Sequence, residues 1–223
     1  MTLYLKQLQL GAMQNFVYLL GDPATHEAAV VDPAWDGPAI LEQVREDGYR
    51  LTHVILTHGH YDHINAVEEI VDKTDAIVCG QKSELEVFIA EGLGGLVIPR
   101  SSLKKTVSGD SVAVGKIPIR LIPTPGHTPG SQCLLIEGQG EDGVVVTGDT
   151  LFIGTIGRCD LPFSSPHDLF HSLGKLKQLK DETVIYPGHD YGASPTNTMK
   201  KEKRTNPFLL ARSMDEFLQM VRH

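Results

Sequence analysis

The apolar positions of this chain follow two periods, and the places where one gives way to the other mark its elements. Apolar and β-branched runs occur at Phe16 to Leu20, closed by Gly-Asp-Pro, and at Ala28 to Val31, closed by Asp-Pro. Such runs between turn residues predict strands joined by a tight turn. From Pro38 to Asp47 the spacing changes: Ile40, Leu41 and Val44 fall on one face of a helix that stops at Gly48. Thr52 to Leu56 predicts a further strand, and Ala66, Val67, Ile70 and Val71 a second amphipathic helix.

The second half repeats the scheme. Strands are predicted near Val112 to Val114, Ile117 to Ile122, Gln132 to Ile136 and Val144 to Thr147, then a helix near Pro166 to Leu179 and a strand from Thr183 to Tyr186. The tail from Pro195 is polar and helix-compatible, with a break at Arg204 to Pro207. Gly92, Gly94 and Gly95 read as a surface turn, with a lid as the alternative. Helices set between groups of strands suit an α/β fold of two mixed sheets packed face to face with helices outside, although periodicity alone does not fix that topology. The expectation is one domain over residues 1–223 with a short helical C-terminal tail.

Composition narrows the classes of function. A chain of 223 residues with 41% hydrophobic and 22% charged can bury a full core. Its formal charge of −8 offers no basic stripe for a phosphate backbone, so nucleic acid is not expected as a partner. Lys200, Lys201, Lys203 and Arg204 read as the solvated face of a late helix. Met1 to Leu10 alternates around Lys6 and lacks the plan of an export signal. No run approaches the roughly 18 apolar residues that a membrane span needs. Cys79, Cys133 and Cys159 are odd in number and far apart, which predicts neither a disulfide framework nor a metal knuckle and fits a reducing cytoplasm. Cys79 and Cys133 sit in strand-like runs as small buried hydrophobes, while Cys159 lies near the chemistry described next.

Thr57-His58-Gly59-His60-Tyr61-Asp62-His63 joins a predicted strand to a predicted helix, a type of loop that often presents catalytic groups. Four potential metal ligands, His58, His60, Asp62 and His63, lie within six positions. Three more each follow a glycine at the end of an apolar run: His127, Asp149 and His189. Glycine permits the sharp turn that presents the next side chain. Each such turn alone has an ordinary structural explanation, but five histidines and two aspartates together can surround two divalent ions. Imidazole suits zinc or iron, carboxylate can bridge, and manganese is also compatible. The lack of cysteine in the set argues against a purely structural zinc site. His26, His53, His167, His171 and His223 lack the preceding glycine and are assigned to structure or surface, although His167 and His171 are four apart on a predicted helix.

The order of these motifs resembles the metallo-beta-lactamase superfamily over nearly the whole chain. Its Thr-His-x-His-x-Asp-His signature is matched from Thr57 to His63, and its later elements by Gly126-His127, Gly148-Asp149 and Gly188-His189. The resemblance implies an αββα sandwich with the metals at one edge between the sheets. It places His58, His60 and His127 on one ion, Asp62, His63 and His189 on the other, and Asp149 between them. Asp32 looks like the family's aspartate behind the ligands, or is simply a strand-end turn residue.

Within the superfamily, Gly148 to Phe152 followed by Gly157-Arg158 is similar to the glyoxalase II group, and Arg158 and Tyr191 match positions that contact the thiol-derived part of a thioester. A structural salt bridge is the other reading of Arg158. The long helical C-terminal domain of the larger glyoxalase II enzymes has no counterpart here, which leaves glutathione specificity open. The Gly157 to Asp160 run and Arg204 to Phe208 are similar to short bacterial and archaeal glyoxalase II-like hydrolases. The implied activity is hydrolysis of a small thioester of the S-lactoylglutathione type by a metal-bound hydroxide, with Asp62 and Asp149 as the catalytic carboxylates and two zinc ions as the favoured cofactor. The alternative is a persulfide dioxygenase, with one iron on His58, His127 and Asp149, glutathione persulfide and oxygen. A metallo-nuclease fits the acidic balance poorly, and a non-catalytic metal module fits poorly with seven ligands all kept. The expected partner is a small molecule, with no membrane; a homo-oligomer stays open.

Overall fold

The computed structural model describes residues 2–89, 98–138 and 143–221. Its first sheet takes β1 (Tyr4–Leu10), β2 (Asn15–Asp22), β3 (Glu27–Val31), β4 (Arg50–Ile55), β5 (Ile77–Gln81) and β6 (Leu103–Thr106) in chain order. β1 to β3 form an antiparallel meander, and β3 to β6 run parallel. Parallel neighbours need crossovers. α1 (Gly37–Glu46) supplies the first, and α2 (Tyr61–Ile64) with α3 (Val67–Lys73) the second; α4 (Lys82–Glu84) follows β5.

The second sheet takes β7 (Ser111–Val114), β8 (Ile117–Pro123), β9 (Gln132–Ile136), β10 (Val144–Gly148), β11 (Val184–Pro187) and β12 (Asn197–Thr198). It is antiparallel except for the β10–β11 pair, which α5 (Pro166–Leu176) bridges. The chain then continues through α6 (Met199–Thr205), α7 (Pro207–Leu210) and α8 (Met214–Met220).

Strand alternation builds the layers. β2 is buried at every position. Its Val17 and Leu19 meet Ile40 and Val44 of α1 and Ile70 of α3, while Phe16, Tyr18 and Leu20 face Ile119, Leu134 and Val146 of the other sheet. β9 does the same in mirror, sending Leu134 and Ile136 inward and Cys133 and Leu135 outward against Leu169 and Leu173 of α5 and Phe217 of α8. The result is the expected αββα sandwich.

The polar tail is therefore part of the outer core: Met199, Leu209 and Phe217 are buried. Lys200, Lys201 and Arg204 are exposed on α6, and Lys203 pairs with Asp181 at 2.8 Å. The predicted helix from Pro166 ends at Leu176 and closes with a turn to Leu179. The three cysteines are free and buried, and burial pushes the thiols of Cys79 and Cys133 up to about 11. The glycine loop at Gly92, Gly94 and Gly95 and the terminal His223 lie outside the described residues. Among the described residues, no helix is long and apolar enough to cross a membrane.

Candidate metal centre

All seven proposed ligands follow the C-terminal ends of strands at one edge of the sandwich. The loop after β4 carries His58 and His60, and α2 begins immediately after His60, so Asp62 and His63 lie in its first turn. His127 follows β8, Asp149 follows β10 and His189 follows β11. Two glycines make this approach possible. Gly126 sits at φ +144°, where a Cβ would lie 2.4 Å from the Leu169 backbone, and a Cβ on Gly188 would lie 2.2 Å from Asp149 Oδ1.

The side chains converge as three overlapping groups whose ligand atoms lie within 4.8 Å of one another: His58, His60 and His127; Asp62, His63 and His189; and Asp32, His58 and His63. Asp149 stands between the first two, with Oδ2 3.5 Å from His127 Nε2 and 3.4 Å from His189 Nε2. Those two groups coincide with the sets the resemblance implies, while the third brings Asp32, which the resemblance puts behind the ligands, up against His58 and His63.

Hydrogen bonds behind the rings decide which nitrogen faces the centre. His127 Nδ1 donates to the Arg158 carbonyl at 2.7 Å and His189 Nδ1 to the Met13 carbonyl at 2.9 Å. A carbonyl only accepts, so each proton sits on Nδ1 and Nε2 offers a lone pair. His63 Nδ1 likewise faces Asp32 Oδ2 at 3.1 Å. Consequently His63 Nε2 and His189 Nε2, 3.1 Å apart, are two acceptors that need a cation between them, either a proton or a metal ion. His60 is turned the other way and presents Nδ1 to His127 Nε2 at 2.9 Å.

The residues fit divalent ions by further tests. His58 Nε2 and Asp149 Oδ1 are buried without a hydrogen-bond partner, an arrangement costly for polar atoms unless something else binds them. Burial pushes the His58 pKa well below the usual range and that of His60 down to about 4, which keeps both neutral and available as ligands. Burial opposes charge on His63 too, but Asp149, Asp32 and Asp62 outweigh it and raise its pKa to about 9. The centre thus favours positive charge.

Three supporting residues hold the ligands. Asp32, at φ +48°, accepts from the Thr57 N–H at 2.7 Å and from the Thr57 hydroxyl as well as facing His63. It ties loop to ligand, as the resemblance suggested. Two others escaped sequence reasoning. Glu84 of α4 is buried and accepts from the N–H groups of Gly59 (2.6 Å) and Gly130 (2.7 Å) and from the Thr128 hydroxyl (2.9 Å), joining the His60 and His127 loops. Burial raises its pKa, and these donors oppose the shift. Asn15 donates to Asp62 Oδ2 at 3.0 Å and accepts from the Trp35 indole at 2.7 Å.

A cavity of about 530 Å³ opens over the ligand set. Arg158 and Tyr191 both line it. Arg158 is exposed and bound at two points by Asp160, 2.9 and 2.8 Å away. Tyr191 stacks on His189 with ring centroids 4.6 Å apart. Cys159 belongs to the outer core with Leu169 and Leu173 instead of the cavity wall. His167 and His171 are exposed on α5 and join no ligand group among the described residues.

Comparison with known proteins agrees with the fold. A probable polyketide biosynthesis zinc-dependent hydrolase, BaeB of Bacillus velezensis, is 30% identical, covering 92% of this chain and 85% of the relative. The hydroxyacylglutathione hydrolase of Methylobacterium nodulans is 32% identical (90% and 87% covered), and the mitochondrial persulfide dioxygenase ETHE1 of Homo sapiens 28% (93% and 76%). The crystal structure of ETHE1 from Myxococcus xanthus superposes with a TM-score of 0.84 at 32% identity, covering 99% of this chain and 90% of that one. The family model of the metallo-beta-lactamase superfamily matches residues 10–189, from the end of β1 to the last ligand histidine, and the chain belongs to that superfamily.

Proposed function

We propose that this member of the fold is a metal-dependent hydrolase of small thioesters, of the glyoxalase II type, with zinc as the favoured ion and S-lactoylglutathione as the prototype substrate. The observation that carries the reading is Asp149 Oδ2, placed between two complete three-residue ligand groups. A carboxylate in that position suits a pair of ions. Bound ions would polarise the thioester carbonyl and lower the pKa of water from 15.7 to about 7.

The chain's own residues do the rest. Asp62 has one oxygen fixed by Asn15 and is so oriented toward the centre, where it can accept a proton from an attacking water. His58 and His60 stay neutral, as ligation requires. Arg158 and Tyr191 at the mouth orient the distal part of the substrate, with Tyr191 held flat on His189. A thiolate leaves without much acid assistance, so no general acid beyond this set is needed. The reading includes a small-molecule partner, no nucleic acid, one unit over residues 1–223 and a reducing cytoplasm for the free cysteines.

The second reading, persulfide dioxygenase, is favoured by the likeness to ETHE1. It would use one iron on His58, His127 and Asp149. The two differ in what they consume. Zinc-loaded and iron-loaded protein should cleave S-lactoylglutathione without oxygen, followed by thiol release. Rapid oxygen uptake by the iron form with glutathione persulfide, with no thioester cleaved by either form, refutes the hydrolase.

A further inference from the structure

The cavity's floor carries the ligand set, but its walls are apolar. Tyr61, Phe152, Leu161, Phe163 and Met13 rise around it, and Arg158 is the only lysine or arginine that lines it among the described residues. Large apolar side chains left in solvent gather at the same mouth: Met13 is 45% exposed, Tyr61 62%, Phe163 59% and Tyr191 50%. Trp35 packs edge-on against Tyr61 at 6.4 Å. Contiguous exposed apolar surface of this kind marks a binding site.

Backbone conformation points the same way. Phe163 and Trp35 sit at φ +67° and +70°, a region costly for any residue with a Cβ. Trp35 is held there by its backbone N–H to Asn65 Oδ1 (2.6 Å) and its indole N–H to Asn15 (2.7 Å). Strain retained at two aromatic residues, one on the cavity wall and the other against it, is consistent with their rings being needed where they stand. The Arg158–Asp160 pair meanwhile offers a polar, solvent-facing end suited to a thiol carrier.

We infer that the acyl group seated against these walls is apolar, an unbranched aliphatic chain or an aromatic ring, and that Tyr61 and Phe163 select it over hydroxyacyl groups such as lactoyl. This rests on the thioesterase reading and ranks its substrates: S-lactoylglutathione is still cleaved, but more slowly than a thioester with an apolar acyl group. Each methylene that becomes buried on the wall should raise kcat/KM about fourfold. A lactoyl group instead brings a hydroxyl to an apolar wall, where it loses hydrogen bonds to water.

The test uses zinc-loaded protein and thioesters of one neutral thiol, N-acetylcysteamine, carrying acetyl, butyryl, hexanoyl, benzoyl or lactoyl groups. The expected result is kcat/KM climbing with chain length, with hexanoyl roughly tenfold or more above lactoyl. Phe163→Ala and Tyr61→Ala should flatten that climb. In parallel, S-alkyl thioethers of the same thiol, which cannot be hydrolysed, are titrated against the fluorescence of Trp35, the chain's single tryptophan; their Kd should fall with chain length by a similar factor. If the thioethers bind in this way but no thioester is cleaved, the thioesterase reading fails and the apolar site stands. Cleavage that favours lactoyl or ignores chain length, with thioether binding equally indifferent, overturns the inference and leaves the thioesterase.

Discussion

Glu84 shows how much of this centre depends on single atoms that never face it. Each of its carboxylate oxygens accepts from at least one donor of a ligand-bearing loop. Glu84→Gln keeps the shape but turns one acceptor into an NH2 group pointed at an N–H or hydroxyl. Leaving such a group unpaired in the interior costs about 1–3 kcal/mol, and for a chain of this size each kcal/mol lowers Tm by about 2–4 °C. Residues that orient metal ligands typically change affinity by about 10–100-fold when altered. Glu84→Gln should therefore weaken zinc binding, measured by competition with a chromophoric chelator, by about tenfold or more. Unchanged affinity would make Glu84 a core group only. The contrast between Asp149 and Cys159 is sharper. Asp149→Ala should abolish turnover and cut bound metal to one equivalent or less by elemental analysis. Cys159, packed in the outer core, should tolerate Ala with turnover within about threefold, since losing one small buried group costs stability more than chemistry. An essential Cys159 would instead indicate a covalent thiol mechanism.

At the scale of elements, Asp47 joins two parts of the first sheet's outer layer. It lies at the C-terminal cap of α1 and accepts from Lys6 Nζ of β1 at 2.7 Å, from the Tyr4 hydroxyl and from Gln43 at 3.0 Å. A carboxylate at a helix C-terminus opposes the helix dipole, so it needs these donors. Lys6, then Tyr4, hold its pKa below the ordinary value. Because the folded pKa is the lower one, the contribution is fully present above the unfolded value near 3.9 and is lost as pH falls through the folded value. Denaturant titrations from pH 5 downward should show a shallower acid limb for Asp47→Asn than for the wild type; equal slopes would mean the contacts contribute nothing. The same scale explains what the sequence made legible. Each ligand motif is contiguous and opens a turn at a strand end, so its chemistry shows in a few adjacent letters. β6 did not show, because on this edge strand Lys104 and Lys105 are exposed and only Thr106 is fully buried, leaving no apolar alternation. Glu84 and Asn15 were hidden for another reason: their partners lie 20 to 47 residues away in sequence, and nothing local marks a buried carboxylate or amide.

For the whole molecule, the arrangement of ligands ties the two sheets together. His58, His60, Asp62 and His63 leave the first sheet, whereas His127, Asp149 and His189 leave the second, so each of the two groups proposed to hold an ion draws on both sheets. Ions bound there would act as cross-links at this edge. Main-chain hydrogen bonds span the same gap without them: the N–H of Phe16 donates to the Gly188 carbonyl at 2.8 Å, that of Asp190 to the Gln14 carbonyl at 3.0 Å and that of Gln132 to the Thr57 carbonyl at 2.9 Å. Metal removal should consequently loosen the edge without separating the sheets. At free metal 100-fold above Kd, binding adds about 2.7 kcal/mol, so a chelator should lower Tm by roughly 5–11 °C at about 2–4 °C per kcal/mol. Hydrogen exchange locates the loss. Amides at the C-terminal ends of β4, β10 and β11 should exchange faster together on chelation, while β1 and β7, at the far edges of their sheets, keep their protection. Faster exchange confined to the loop after β4 would show that the ions bind on the first sheet alone, and would remove Asp149 from the position between them.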